Sequence, residues 1–336
     1  MSKKRVLSCI QPTGEVHLGN YFGAIRNWVN IQGQYNCIYG VVDLHAMTMP
    51  YEPGELEDNT LKMVMDLLIC GIDPDKSILF IQSLVPQHTE LTWIFNCITS
   101  YGELTRMTQF KDKSEQSETN VKGKFISAGL FTYPILQAAD ILIYKADYVP
   151  VGIDQVQHLE LSRNIAVRFN NQYGTYFPEP KPLLTDIPKL VSLADPTKKM
   201  SKSLDEKHYI GLFEEENSIR KKVKSAVTDT GDQQGDVMSP GVENLFNLIK
   251  ACGKDKDFNE LLKQYKSGTL KYKDLKEVTA DALVELTRGF ITRRNEIAGD
   301  ETYIKNVAKT MSEKARDIAA KTIRDVRSLV GLPVYD

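Results

Sequence analysis

No apolar run in this sequence reaches the ~20 residues that a helix needs to cross a bilayer, so no membrane partner is expected. No C-x-x-C pair occurs either. The five cysteines, Cys9, Cys37, Cys70, Cys97 and Cys252, are scattered and odd in number. That pattern argues against a structural zinc site or an iron–sulfur cluster and reads as buried, reduced thiols. Charge of one sign is also lacking: 42 Lys+Arg stand against 44 Asp+Glu, for a net charge of -2. A generally basic nucleic-acid coat is thereby excluded. The distribution is uneven, mildly acidic up to residue 197 and mildly basic beyond it, which permits local contact with RNA phosphates. The basic opening at Lys3, Lys4 and Arg5 leads into only about five apolar residues before Gln11 and Pro12, too few for a secretory signal. A cytoplasmic address is expected. No internal repeat is present.

What is there is an ordinary globular composition, 42% hydrophobic and 26% charged over 336 residues, enough chain for about two domains. Residues 6–10, 37–44, 77–82 and 148–151 read as short apolar strands. Between them lie helical spacings. Leu18, Phe22, Ile25 and Val29 mark the first helix, residues 54–70 a second that stops at Gly71, and residues 88–98, 127–144 and 155–169 three more. Strands alternating with helices predict an α/β fold, a doubly wound, mostly parallel sheet with helices on both faces. Residues 111–124 lack periodicity and read as an exposed loop, and residues 174–188, with four prolines, as a surface connection. Beyond Ser203 the pattern is helical, with apolar stripes at Leu275, Val278, Leu283, Leu286 and Phe290 and at Ile304, Val307, Met311, Ala315, Ile318 and Val326. A boundary near residue 205 is expected.

Two phrases can carry chemistry together. His17-Leu18-Gly19-Asn20 stands where the first strand gives way to the first helix. Unpaired backbone N–H groups at such a helix start attract anions, and Gly19 would let a nucleotide approach closely. His17 and Asn20 share a helix face and could bond phosphate oxygens; an exposed helix start without ligand explains them as well. Lys199 and Lys202 lie in a Ser/Lys-rich loop after Asp195-Pro196-Thr197-Lys198. Mobile lysines can follow negative charge as it builds on phosphates, although a solvated loop has the same composition. Residues 133–144 are apolar except for a stripe of Tyr133, Gln137, Asp140 and Tyr144. A buried Asp140 needs a partner, which an aromatic substrate N–H or O–H would supply; a cap or a salt bridge would do so too. Gly152-Ile153-Asp154-Gln155 follows a strand, where an Asp can accept from ribose hydroxyls or simply cap a helix.

Taken together, these residues resemble the class I aminoacyl-tRNA synthetases, and within them the bacterial-type tryptophanyl-tRNA synthetases, over essentially the whole chain. Gln11-Pro12-Thr13-Gly14 with His17-Leu18-Gly19-Asn20 looks like the family's opening ATP motif. Arg106-Met107-Thr108-Gln109-Phe110-Lys111, Pro150-Val151-Gly152-Ile153-Asp154-Gln155 and Asp195-Pro196-Thr197-Lys198-Lys199-Met200-Ser201-Lys202-Ser203 match further blocks, the last being the most specific. Cys9 replaces a common Gly, Leu7 a common Phe, and Gln137 a common Met. Gln137 is shared with the tyrosine-specific sister family, but that family opens with H-x-G-H and lacks the Gln11 to Gly14 phrase, so tryptophan is the expected substrate. Small-molecule nucleotidyltransferases share a similar turn and sheet; they lack the Lys199 to Ser203 motif and the long helical C-terminal half. A regulatory paralogue would not need the catalytic motif intact.

The resemblance implies a Rossmann-type catalytic domain over residues 1–205, with an inserted dimerisation segment at about 100–145, and a helical anticodon-binding domain over 206–336 whose last helix packs back on the catalytic domain. It implies activation of L-tryptophan by Mg-ATP, transfer to tRNA-Trp, and a homodimer, with no zinc or iron–sulfur cluster and no resident metal. It assigns Gln11, Pro12, Thr13, Gly19 and Asn20 to the ATP site and His17 to its phosphates. Gly152, Ile153 and Asp154 take the ribose, Leu190 and Met200 the adenine. Lys199 and Lys202 take the pyrophosphate, within a loop that includes Ser201 and Ser203, and Lys113 assists. Asp140 accepts the indole N–H, Tyr133 and Gln155 orient the amino acid, Gln137 lies against the indole and His45 stands near the same pocket.

Overall fold

The computed structural model of the protein describes residues 3–107, 127–150, 156–183, 190–202, 204–228 and 238–335. Five parallel strands form one sheet: β1 (Arg5–Ile10), β2 (Asn36–Val41), β3 (Ser77–Ile81), β4 (Tyr148–Pro150) and β5 (Lys181–Leu183). Their order is β3-β2-β1-β4-β5, with Val6 opposite both Cys37 and Tyr148. The order of strands reverses at β1, so a crevice opens beyond the carboxyl ends of β1 and β4, where such sheets bind ligands.

The strands read as apolar runs because both sheet faces are covered. Val6, Tyr39 and Leu79 point into one core, and their neighbours Leu7, Ile38 and Phe80 into another. The first core is filled by α1 (Leu18–Asn20), α2 (Arg26–Ile31), α4 (Pro53–Ile69) and the helices of the C-terminal half; α3 (Asp43–Ala46) is a single turn after β2. The second is filled mainly by α5 (Gln87–Asn96), α7 (Ala128–Ile143) and α8 (Val156–Tyr173), with α6 (Tyr101–Thr105) between α5 and α7 in the chain. The C-terminal half supplies α9 (Glu216–Ser225), α10 (Pro240–Ala251), α11 (Asp255–Lys266), α12 (Tyr272–Ile297) and α13 (Glu301–Val330). The far end of α13, from Ala315 to Val326, joins the second core. The Ser312 hydroxyl accepts the Ile81 N–H at 3.0 Å, and Arg327 reaches Glu90 at 2.5 Å, so this helix clamps the end of β3 and the start of α5.

Several local features follow from single residues. Gly71 adopts φ +106° after α4, and Ile72 N–H bonds the Leu67 carbonyl at 3.0 Å, the double-bonded helix stop that only glycine takes without strain. The first helix is not uniform: a π-helical turn at Tyr21–Ile25 separates α1 from α2, which the apolar spacing alone does not reveal. The second strand ends at Val41, and the apolar residues after it belong partly to α3. Residues 181–183, read as part of a surface connection, form β5 instead; Pro182 is tolerated because β5 is an edge strand. Cys97 is exposed, not buried, because it caps the end of α5 at the surface. The predicted loop at residues 111–124 lies outside the described residues.

Candidate active site

β1 ends at Ile10, and the chain turns at once. Thr13 N–H bonds the Gln11 carbonyl at 2.9 Å, and Gly14 adopts φ +85°. A Cβ on Gly14 would lie 3.6 Å from the Lys202 Nζ, so the turn and the lysine loop meet here. The meeting is fixed by backbone pairing. Leu18 N–H bonds the Ile210 carbonyl at 2.9 Å, and Leu212 N–H bonds the Val16 carbonyl at 3.0 Å. The lysine loop before it closes as a hairpin, with Ser192 N–H on the Lys198 carbonyl at 2.8 Å. Asp195 tightens the hairpin tip by accepting from the Thr197 hydroxyl at 2.6 Å and N–H at 3.1 Å. Met200 and Leu190 are buried in the first core and anchor the loop. Lys199 is exposed and Lys202 half-buried.

A cavity of about 300 Å³ results, lined among others by Gln11, Thr13, His17, Asn20, Ser201 and Lys202. Pro12, Gly19, Leu190 and Met200 are not among the residues that line it; Leu190 and Met200 lie in the first core. Lys199 stands outside it, close enough to influence His17. Asn20 accepts the His17 backbone N–H through Oδ1 at 3.2 Å, which leaves its amide N–H groups for a ligand. The His17 ring is buried, and its Nδ1 makes no hydrogen bond. Burial, then the charges of Lys202 and Lys199, push its pKa down to about 4. His17 is therefore neutral at neutral pH and can offer a phosphate one N–H without adding charge. The two lysines supply the charge.

Gly19 also makes room for the His17 ring. A Cβ there would lie 2.8 Å from His17 Cε1 and 2.9 Å from Nδ1. The missing side chain seats the His17 ring. Gly19→Ala should therefore displace that ring and weaken ATP binding by on the order of tenfold, from the overpacking alone. Calorimetric titration with ATP checks this; unchanged affinity would mean that the ring position does not matter.

The second half of the site is built on α7. Tyr133, Gln137, Asp140 and Tyr144 fall along one stripe of the helix and its C-terminus, as their spacing predicts. Asp140 is almost fully buried. Its Oδ2 is 2.7 Å from His45 Nε2; its Oδ1 is 2.6 Å from His88 Nδ1 and accepts from Gln82 Nε2 at 2.7 Å. His88 Nε2 in turn meets the Tyr144 hydroxyl at 2.8 Å. Burial alone would push the Asp140 carboxyl up, but the charges and hydrogen bonds of His45 and His88 outweigh it and hold it far below the usual carboxylate range. A carboxylate has about four lone-pair sites, so Asp140 with three partners keeps room for one more donor, on Oδ2. The Tyr133 hydroxyl meets His158 Nε2 at 3.0 Å, and the Tyr133 and His45 rings lie edge to face at 6.3 Å. Asp140 is thus held by three hydrogen-bond partners and keeps one acceptor position.

Gln82 and His88 were missed as site residues. Gln82 closes the third predicted strand, and the carboxyl end of a strand in an open α/β sheet is where a polar residue deserves suspicion. His88, at the start of a helix, carries no comparable signal. Thr108, Gln109, Phe110, Lys111, Lys113, Gly152, Ile153, Asp154, Gln155 and Ser203 lie outside the described residues.

Comparisons with known proteins identify the family. The family model for tRNA synthetases class I (W and Y) matches residues 2–288. The tryptophan–tRNA ligase of Clostridium tetani (strain Massachusetts / E88) is 44% identical over 334 residues, covering 98% of this chain and 96% of the relative. The solved tryptophanyl-tRNA synthetase of Mycoplasma pneumoniae superposes with a TM-score of 0.88 at 34% identity, covering 98% of both chains. That of Campylobacter jejuni, complexed with ADP and tryptophan, superposes with a TM-score of 0.83 at 33% identity, covering 98% of this chain and all of the other. A tyrosyl-tRNA synthetase from Archaeoglobus fulgidus shares only 21% identity, which shows the common fold alone. With near-complete coverage by tryptophan-specific relatives and a parallel sheet whose crevice holds the two motifs, the chain belongs to the class I aminoacyl-tRNA synthetases and, within them, to the tryptophan–tRNA ligases.

Proposed function

We propose that this ligase activates L-tryptophan with Mg-ATP in the crevice beyond β1 and β4, through a division of labour among the residues gathered there. The tryptophan carboxylate attacks the α-phosphate. A bond forms between carboxylate oxygen and phosphorus, the bond to the bridging oxygen breaks, and pyrophosphate leaves with the electron pair. Lys202 and Lys199 meet the charge that builds on the departing pyrophosphate, with Lys113 assisting. His17 and Asn20 hold phosphate oxygens by neutral hydrogen bonds. Gln11, Thr13 and Ser201 line the nucleotide site, Ser203 belongs to the same motif, and Gly152, Ile153 and Asp154 take the ribose. Leu190 and Met200 border the adenine. In the second step a ribose hydroxyl at the 3′ end of tRNA-Trp attacks the activated carbonyl and AMP leaves.

Asp140 accepts the indole N–H on its open Oδ2 position, Gln137 packs against the ring, and Tyr133 and Gln155 orient the ammonium and carboxylate. A pocket built to hydrogen-bond a substrate N–H rejects analogues that lack it by ~10⁴–10⁵-fold. The observation that carries this reading is the carboxylate of Asp140, kept ionised with one position left over by partners that follow β2 and β3, while His17 and Lys202 line the cavity that follows β1. The reading includes a homodimer joined through the segment at about 100–145, an anticodon-binding role for residues 206–336, and a cytoplasmic address. Tryptophan-dependent exchange of pyrophosphate into ATP, with tyrosine inactive in its place, is the expected behaviour; exchange with tyrosine alone would refute the assignment of Asp140.

A further inference from the structure

The lysine loop is tied at its neck by a side-chain bond that the chemistry described so far does not use. Ser192 stands before the lysines, and His208 after them, at the end of the single turn Glu206–His208. Ser192 Oγ is 2.8 Å from His208 Nδ1, although the two residues are 16 apart in the chain. Lys198, Lys199 and Lys202 all lie between them.

Both ends of this loop lead directly to the site. Before the lysines, Ser192 N–H bonds the Lys198 carbonyl at 2.8 Å, and Val191 pairs with Lys199 in an antiparallel bridge. Asn244 of α10 holds the same segment, accepting the Val191 N–H and donating to its carbonyl, each at 3.0 Å. After the lysines, Ile210 and Leu212 pair with Leu18 and Val16, and Gly211 lies opposite His17. The Ser192–His208 bond joins these two pieces to each other.

The hydrogen count at Ser192 fixes the direction of that bond. Ser192 is fully buried, and its Oγ accepts the Ala194 N–H at 3.1 Å and the Asp195 N–H at 3.0 Å. A hydroxyl has two lone pairs and one proton. With both lone pairs taken, the proton is what Ser192 can offer His208, so Nδ1 is the acceptor and the ring carries its own proton on Nε2. A doubly protonated ring would present an N–H to an oxygen with no lone pair left.

We propose that His208 is a positioning residue for the lysine loop: its neutral ring closes the neck of the loop on Ser192 and so holds Lys199 and Lys202 beside the cavity that His17 lines, and proton uptake by the ring opens the neck. The proposal rests on the role given to the two lysines above. Fixing a loop costs conformational entropy, and a neck that is already closed removes part of that cost from the reaction.

The proposal has a pH signature, because imidazole is the side chain that ordinarily changes charge between pH 5 and 8. His208 is half-buried, so protons reach it. The charged and titratable groups around it are Asp195 and Lys198 on the hairpin, Asp205, Glu206 and Lys207 on its own turn, Tyr209 next in the chain, and Glu214 and Lys222 beyond. Lys222 donates to the Tyr209 carbonyl at 3.0 Å and pairs with Glu214 at 2.6 Å. Hydrogen bonds from Thr197, then Lys198, hold Asp195 below the usual carboxylate range. Burial, then the nearby carboxylates, pushes Tyr209 up. Neither of these two changes charge between pH 5.5 and 8.

The test is tryptophan-dependent pyrophosphate exchange from pH 5.5 to 8 for the wild type, His208→Asn, His208→Ala and Lys202→Ala. Asparagine puts Oδ1 where Nδ1 stands, and that oxygen accepts from Ser192 at every pH. Both His208 variants should fold, with thermal midpoints within about 4 °C of wild type. At pH 8 we expect His208→Asn to match the wild type. His208→Ala should lose roughly 3- to 10-fold in kcat, the equivalent of one neutral hydrogen bond, with the ATP KM little changed. By pH 5.5 the wild type should have fallen by that factor relative to His208→Asn and should match His208→Ala. These ratios cancel every titration that the three proteins share. Ratios that stay constant with pH overturn the proposal, as does a His208→Asn variant no better than His208→Ala at pH 8. Both His208 variants equal to wild type throughout would refute this inference alone. A Lys202→Ala variant as active as wild type, or a wild type without exchange, would refute the functional reading beneath it.

Discussion

Replacing Lys202 with alanine lowers the rate of tryptophanyl-adenylate formation by about 10²–10³-fold, the usual cost of removing one preorganised group that meets developing charge. ATP binding in the ground state changes little. The reason lies in where the ammonium sits. It is half-buried against Gly14, at the edge of the cavity that His17, Asn20 and Ser201 line. Burial lowers its pKa, while Glu15 and Asp66 favour its charged form. Such a cation contributes most when charge moves onto the leaving pyrophosphate, so its loss appears in kcat rather than in KM. Lys202→Arg should rescue poorly, because a planar guanidinium cannot follow the charge as a compact ammonium does. Single-turnover rates at saturating ATP measure this directly. An equal loss in ATP affinity would instead make Lys202 a ground-state binder.

Asp140→Ala has the second large effect, and it acts on two levels. The substitution leaves His45, His88 and Gln82 without their shared acceptor in a fully buried place. Breaking a buried charged pair from one side typically costs about 3–5 kcal/mol of stability. The thermal midpoint should fall clearly. Tryptophan use should fall as well, by the equivalent of about 1–3 kcal/mol for the lost indole hydrogen bond. Asp140→Asn preserves shape but removes the charge and turns one acceptor oxygen into an N–H donor, so the variant tests how far one remaining acceptor oxygen suffices. The pH dependence has a definite sign. A carboxyl held below its unfolded value contributes stability that is present above pH ~4 and is lost only as pH falls through its lower folded value. Tryptophan binding should therefore show no titration from Asp140 between pH 5 and 9, while acid unfolding of the wild type should include it. Unchanged tryptophan kinetics in both variants would remove Asp140 from the pocket.

The sequence made the sheet and its motifs legible because both rest on local signals. Strands β1 to β3 are continuous apolar runs, and α4 ends at a glycine that needs positive φ. β5 was illegible because it is three residues long, two of them exposed, with a proline in the middle. The His17 and Lys202 motifs stood out by their spelling. What they do to each other did not, since the neutral state of His17 depends on burial and on two lysines far along the chain. Gln82 and His88 join Asp140 from separate elements, a convergence that no spacing encodes. The seating of the His17 ring on Gly19 is likewise a contact in space, hidden inside a motif whose glycine suggests a ligand instead.

The most direct measurement is amino-acid-dependent exchange of labelled pyrophosphate into ATP, without tRNA, with tryptophan, tyrosine and phenylalanine compared at equal concentration. Exchange with tryptophan and not with the other two is the expected result, and it would establish the activation chemistry and the donor-reading pocket together. Exchange with tyrosine and not tryptophan, or none from folded protein, would contradict the assignment of this crevice to tryptophan activation.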